Sequence, residues 1–227
     1  MKKKVFYTEL SYVLGLLIMA FAAAFTEKAN FGMSMVVAPA YILHLKLAPV
    51  LPWFSFGVAE YCFQGLLVLI TVAVMRKFKL SYLLSFVTAV LYGTLLDLAM
   101  AILAPLPDRV FALRVAWYLI GTVCCAAAVS LFFHTYLAPE AYELIVKELA
   151  AKTKKDINMI KTGYDCFSTV LAIVLSFCFF GFGVFRGVGL GTVLCALING
   201  FLIGRFSRLL ESKFDFKNKF PLEKYFL

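Results

Sequence analysis

The sequence predicts an all-α integral membrane protein of six transmembrane helices, arranged as two inverted three-helix repeats. Three observations predict it. Of the 227 residues, 63% are hydrophobic and 15% are charged, against roughly 45–50% and 25% in a soluble domain. Six apolar stretches, at about 8–26, 51–75, 81–104, 113–136, 158–183 and 188–208, are each long enough to cross a bilayer as a helix of ~20 residues. These stretches also fall into two series with the same order of features. Repeat 1 runs over about 8–104 and repeat 2 over about 113–208, within one transmembrane domain spanning 1–208. A basic, aromatic cytoplasmic tail at 209–227 follows.

Each series opens with a span that runs into a short linker helix, Phe31–Leu47 in the first and Ala138–Ala151 in the second. A second span follows, entered by a glycine and an acid: Gly57–Val58–Ala59–Glu60 in one series and Gly163–Tyr164–Asp165 in the other. The third spans share a Gly-Thr pair, Gly93–Thr94 and Gly191–Thr192. Three crossings per copy turn the second copy upside down relative to the first. Secondary transporters use that arrangement, with the substrate between the halves near the midplane.

The first span has a basic start but no convincing cleavage site after Phe21–Phe25, so it reads as a span and not a signal peptide. The first linker is strongly apolar and reads as interfacial or re-entrant; a re-entrant backbone needs protein cover or an aqueous cavity. In the second, Pro139 and Glu140 suit a first helical turn, where a missing N–H costs nothing and an acid meets the positive end of the dipole. Ala141, Leu144, Ile145 and Leu149 recur at helical spacing opposite Glu143, Lys147, Glu148 and Lys152. That pattern predicts an amphipathic helix at the inner interface.

Charge orients the chain. Of the 22 basic residues, three precede the first span, three follow the second, five lie in or beside the second linker and six lie near or in the tail. Five are left for the other side. This bias predicts that both termini are cytoplasmic. It also accounts for the net charge of +9 through anionic lipid headgroups, with no nucleic-acid partner implied. The six cysteines lie within spans, lack metal-ligand spacing and imply neither a metal site nor a disulfide framework.

Acids inside spans are the candidate site. A charged side chain at a helix centre costs at least ~2.5–3.5 kcal/mol on insertion scales, so it needs a partner, a proton or water. Glu60, Asp97 and Asp165 are such acids. Gln64 sits one turn beyond Glu60 on the same face, and Lys161 one turn before Asp165, close enough to pair with it. The expected substrate-binding set is Glu60, Gln64, Asp97, Asp165, Thr94 and Thr192, with Glu60 as the proton-coupling acid. For the two Gly-Thr pairs, close helix packing competes with ligand binding. No nucleophile elbow, His-Glu-x-x-His motif or paired histidines occur, so no enzyme and no cofactor are expected.

Several of these features together resemble the YczE/YitT-like bacterial integral membrane proteins, closer to the YczE branch. The resemblance rests on Ala29–Asn30–Phe31–Gly32–Met33–Ser34, Ala138–Pro139–Glu140, Lys161–Thr162–Gly163–Tyr164–Asp165 and Gly187–Val188–Gly189–Leu190–Gly191–Thr192–Val193. It departs at Met35–Val36–Val37, where the family tends to Pro-Trp-Asp, and at Asp97, where an amide is common. The resemblance implies the fold and a bacterial plasma membrane.

The expected function is transport of a small polar metabolite bearing an amino or other cationic group, with proton coupling through Glu60 as its expected mechanism. One alternative is the substrate-binding subunit of an energy-coupling-factor-type vitamin importer, docking an energising subunit through Ala20 and Ala24. Another is an accessory protein that interacts with membrane lipids. A homo-oligomer fits any of these.

Overall fold

The computed structural model describes residues 3–138, 140–155 and 157–220, with only the backbone described at Ile157 and Asn158. Pro139, Lys2, Lys224 and the tail from 221 lie outside the described residues. In chain order the elements are β1 (Lys4–Tyr7), α1 (Thr8–Ala29), α2 (Ala38–Leu47), α3 (Phe56–Met75) and α4 (Leu80–Leu103). Then come α5 (Phe111–Phe132), α6 (Ala141–Thr153), α7 (Ile157–Phe180), α8 (Leu190–Lys213) and β2 (Phe214–Lys217). Among the described residues, six helices are long and apolar enough to cross a membrane: α1, α3, α4, α5, α7 and α8. The fold is therefore an all-α multi-pass membrane bundle.

Local chemistry sets the ends of these helices. Ser55 caps α3, its Oγ accepting from the Val58 N–H at 3.1 Å, so the span starts five residues later than its apolar stretch. Asn30, Arg76 and Lys154 end α1, α3 and α6 in the left-handed conformation, with φ of 53°, 53° and 56°. Helix α8 runs beyond Arg208 to Lys213, absorbing the start of the expected tail.

Directions follow from side-chain bonds between helices. Ser11 Oγ donates to the Leu131 carbonyl at 2.8 Å and Arg114 Nε to the Ala29 carbonyl at 2.8 Å, so α1 and α5 lie antiparallel. Tyr12 and Thr88 share a 2.7 Å hydroxyl contact, and Lys28 donates to the Ala104 carbonyl at 3.1 Å, so α4 runs parallel to α1. Likewise Tyr118 donates to Gly191 at 2.6 Å and Ser130 to Ile203 at 3.0 Å, so α8 runs parallel to α5. Helices α3 and α4 cross antiparallel through Gly57 and Gly93. A Cβ on Gly57 would sit 1.9 Å from the Gly93 carbonyl oxygen. Only paired glycines permit that approach.

The short helices do not lie flat across the ends of the bundle. The Ala141 N–H donates to Gln64 Oε1 at 3.1 Å near the start of α6, and Lys152 donates to the Val74 carbonyl at 2.6 Å near its end. Helix α6 thus runs beside α3 from Gln64 to its terminus, some 15 Å at 1.5 Å per residue. Its apolar face of Ala141, Tyr142, Leu144, Ile145 and Val146 is buried against the bundle. The amphipathic pattern was legible, but it does not report depth, and α6 reaches further in than an interface helix. Helix α2 points the other way. Val36, just before it, packs against both buried clusters, while His44 near its end meets the Phe54 carbonyl at 2.9 Å and Lys46 meets that of Phe179 at 3.2 Å. Each short helix begins deep in the bundle and ends near one of its two ends.

The outer faces of α7 and α8 are apolar and open, with Phe167 63% and Leu197 73% exposed. A cavity of about 320 Å³ lies between them, lined by residues that include Ile173, Phe185, Leu190 and Ala196. Among the cysteines, Cys195 is buried while Cys62, Cys166 and Cys178 are exposed on helix surfaces. The chain ends meet as a two-stranded parallel sheet, pairing Lys4 with Phe214 through Tyr7 with Lys217. Alternation puts Phe214 and Phe216 on one side, where they pack on Phe6 at 5.1 and 5.6 Å. Both strands lie at the same end of the bundle.

A buried carboxylate pair at the start of a half-length helix

Glu60 and Gln64 project from successive turns of α3 and are both fully buried. Helix α6 supplies the other side of the site. The Tyr142 hydroxyl donates to Glu60 Oε2 at 2.8 Å, and the Ala141 N–H bonds the Gln64 carbonyl oxygen. Gln64 thereby satisfies one of the four amides that a helix start leaves without an internal partner. Its own amide nitrogen donates in two directions, to Glu60 Oε2 and to Glu140 Oε2, each at 3.3 Å. Glu140 is the N-cap residue of α6 and 6% exposed. One amide group therefore bridges two buried carboxyl groups on different helices.

Among the described residues, the remaining oxygens have no hydrogen-bond partner. Glu60 Oε1, Glu140 Oε1 and the Tyr92 hydroxyl are buried and make no hydrogen bond. An unsatisfied buried acceptor costs about 1–3 kcal/mol, and more when charged. Burial, then the charges of Glu143 and Glu60, push Glu140 well above the usual carboxylate range, opposed by the Gln64 bond and by Lys161. Burial likewise pushes the Tyr142 hydroxyl up, with Glu60 next in effect. The positive end of the α6 dipole favours negative charge here, but two carboxylates compete for it.

The other sequence candidates lie elsewhere. Asp97 accepts from Ser55 Oγ and from the Gly57 N–H at 2.7 Å, binding the start of α3 to α4. Asp165 pairs with Lys161 at 3.0 Å, as the one-turn spacing predicted, and its side chain is 21% exposed. Thr94 is exposed and donates to the Leu91 carbonyl in its own helix. Thr192 is buried, donating to the Met33 carbonyl at 2.7 Å and accepting from the Gly189 N–H at 3.2 Å. Both Gly-Thr glycines pack closely: Gly93 on Gly57, and Gly191 on Phe31 and Tyr118.

Glu140 lies outside the site that the sequence predicts. Beside Pro139 it has the pattern of a dipole-favoured acid at the start of a surface helix. The signal was an acid at the deep end of a linker flanked by long apolar spans. Among the described residues, no group of three or more His, Cys, Asp or Glu side chains is arranged to hold a metal ion.

Six apolar helices and two short helices that begin inside the bundle define a multi-pass helical membrane protein with a buried acidic site. Residues 6–208 match a family of unknown function, DUF6198, and the chain belongs to that family. No curated protein and no solved structure matches it.

Proposed function

We propose that this protein is a transporter of a small polar metabolite carrying an amino or other cationic group, with Glu60 as its substrate-side and proton-coupling acid. The observation that carries this reading is the buried Glu60–Gln64–Glu140 cluster at the start of a helix that reaches only half-way across the bundle. Half-helices that end at midplane sites, and unpaired acids inside a membrane, are features of transport pathways. Enclosure of the site on all sides fits an occluded stage of alternating access.

The inverted duplication belongs to this proposal, and the helix directions and two pairs of contacts support it. Helix α4 is parallel to α1 as α8 is to α5, while α1 and α5 are antiparallel. The Thr88 hydroxyl of α4 bonds the Ala138 carbonyl ahead of α6, and the Thr192 hydroxyl of α8 bonds the Met33 carbonyl ahead of α2. In sequence the two linkers share an Ala-Pro pair followed by Ala-Tyr, Ala38–Pro39–Ala40–Tyr41 in one and Ala138–Pro139 then Ala141–Tyr142 in the other. Tyr41 and Tyr142 each donate to a buried or half-buried glutamate, Glu27 and Glu60.

A relationship to YczE/YitT-like proteins, a bacterial plasma membrane and cytoplasmic termini complete the reading. The termini assignment rests on the basic residues gathered at one end.

The test is uptake by purified protein in liposomes, using amines and amino acids first ranked by thermal shift. Glu60→Gln is expected to cut flux at least tenfold and flatten its pH dependence. Flux equal to wild type at every pH would remove Glu60 from the mechanism.

A further inference from the structure

The proposed function assigns a role to Glu60 and leaves Glu140 without one. Glu140 differs from an acid that merely caps a helix. Its side chain makes no capping bond to the α6 backbone. Instead one oxygen meets Gln64, and the other is buried with no hydrogen-bond partner among the described residues. Glu60 has the same arrangement: one oxygen is held by Gln64 and Tyr142, and the other has no partner. The bridging Gln64 amide has both donors engaged and its carbonyl occupied by Ala141. It therefore offers nothing to the two free oxygens. The Tyr92 hydroxyl of α4 is a third buried polar atom with no hydrogen bond among the described residues, and the charges of Glu60 and Glu140 act on it.

We infer that Glu60 and Glu140 form one acid pair that holds a shared proton, and that the ammonium group of a primary amine displaces that proton when it binds between them. The inference rests on the transport reading only for the identity of the ligand. The step is an exchange. A carboxylic O–H dissociates, its proton leaves to the solution from which the amine entered, and two carboxylates then face one N–H₃ group. Three acceptors match the three N–H donors of a primary ammonium: Glu60 Oε1, Glu140 Oε1 and Tyr92 Oη. A tetramethylated cation has no such donors.

The titratable groups around the pair come from every packed element. Glu140 faces Tyr12 of α1, Cys125 of α5, Glu143 of α6 and Lys161 of α7. Glu60 faces Tyr92 of α4, Tyr142 of α6 and Tyr164 of α7. Lys161 is shared with Asp165 at 3.0 Å. The only positive group in this set is therefore partly neutralised, and two carboxylates share the space with little cationic balance. Two buried acids that accept from one amide nitrogen do not ionise independently.

Infrared difference spectroscopy of the purified protein during a pH titration reads the pair without knowledge of the ligand. Wild type is expected to show a protonated-carboxyl band that persists above the ordinary carboxylate range. Glu140→Gln should shift the titration of the remaining Glu60 carboxyl down by about one unit or more through loss of the like charge. Glu140→Asp should largely restore the wild-type curve. Glu60→Gln should shift Glu140 in the same direction. A band in Glu140→Gln that titrates as in wild type overturns the pair.

Saturating methylammonium, ethylammonium and longer primary amines are then added, with tetramethylammonium as control. Loss of the band with primary amines alone supports the exchange. A band that titrates as expected but responds to none of them, or equally to tetramethylammonium, overturns the amine assignment. A pair that behaves as expected in a protein that moves no substrate across liposomes would sink the transport reading and leave the acid pair standing.

Discussion

Gly57 and Gly163 enter the second spans of the two halves, yet the structure predicts opposite outcomes when each becomes alanine. At Gly57 the added Cβ would lie 1.9 Å from the Gly93 carbonyl oxygen and 2.7 Å from the Asp97 carboxyl. Real Cβ atoms essentially never approach within 3.0 Å, so α3 and α4 must separate by about 1 Å. The 2.7 Å bond from the Gly57 N–H to Asp97 would then exceed hydrogen-bonding range. Overpacking costs about 1–3 kcal/mol, and losing a hydrogen bond to a charged group costs about 1.5–3 kcal/mol. The helix preference for alanine returns roughly 0.5–1 kcal/mol. The net for Gly57→Ala is a loss of about 2–5 kcal/mol. At 2–4 °C per kcal/mol for a chain of this size, the Tm in detergent should fall by roughly 5–20 °C.

At Gly163 a Cβ meets nothing within 4 Å, so only the helix preference acts and Tm should stay level or rise by a few degrees. Differential scanning fluorimetry of both variants, with size-exclusion profiles to confirm monodispersity, makes the comparison. A Gly57→Ala protein that melts within 2 °C of wild type would refute the close-approach argument, as would equal destabilisation at Gly163.

Three further outcomes follow from the described contacts. Glu140 has its proton affinity raised on folding, so the folded state holds more protons than the unfolded one above the ordinary carboxylate range, and stability must fall as pH rises. Tm should decline from about pH 5 towards alkaline pH, and Glu140→Gln should flatten the decline; a slope unchanged by the substitution would contradict this. Thr192→Val removes the hydroxyl that bonds the Met33 carbonyl and the Gly189 N–H, at a cost of about 1–3 kcal/mol. Thr192→Ser should retain most of that stability, and a serine variant as unstable as the valine variant would count against the bond. Glu9 accepts from the backbone N–H groups of Lys219 and Phe220 and from the Tyr136 hydroxyl. Glu9→Ala should therefore speed tryptic cleavage at Lys217 and Lys219 several-fold, and identical digestion rates would show that the carboxylate does not hold the tail.

What the sequence revealed was the kind of information carried by composition and short spacing. The spans were legible from hydropathy, and the Lys161–Asp165 pair and the Glu60–Gln64 face from one-turn spacing. Depth was not legible. Apolar and amphipathic patterns look alike on a helix that lies at an interface and on one that runs inward beside α3. Long-range partners were also hidden. Nothing local marks Asp97 as the acceptor for Ser55 and the Gly57 N–H, 42 and 40 residues away. Nothing local marks Glu140 as the acid bridged to Glu60 through Gln64. The role of Gly93 as a packing residue was foreseen in kind, but its partner Gly57 emerges only when α3 and α4 are laid together.

The strand pairing of Lys4–Tyr7 with Phe214–Lys217 turns the polypeptide into a closed circuit. Lys4–Tyr7 has no strand partner until Phe214–Lys217, 210 positions further along, has been made. The first strand therefore waits unpaired while the six apolar helices between the two are inserted. A change to either strand acts on the same latch.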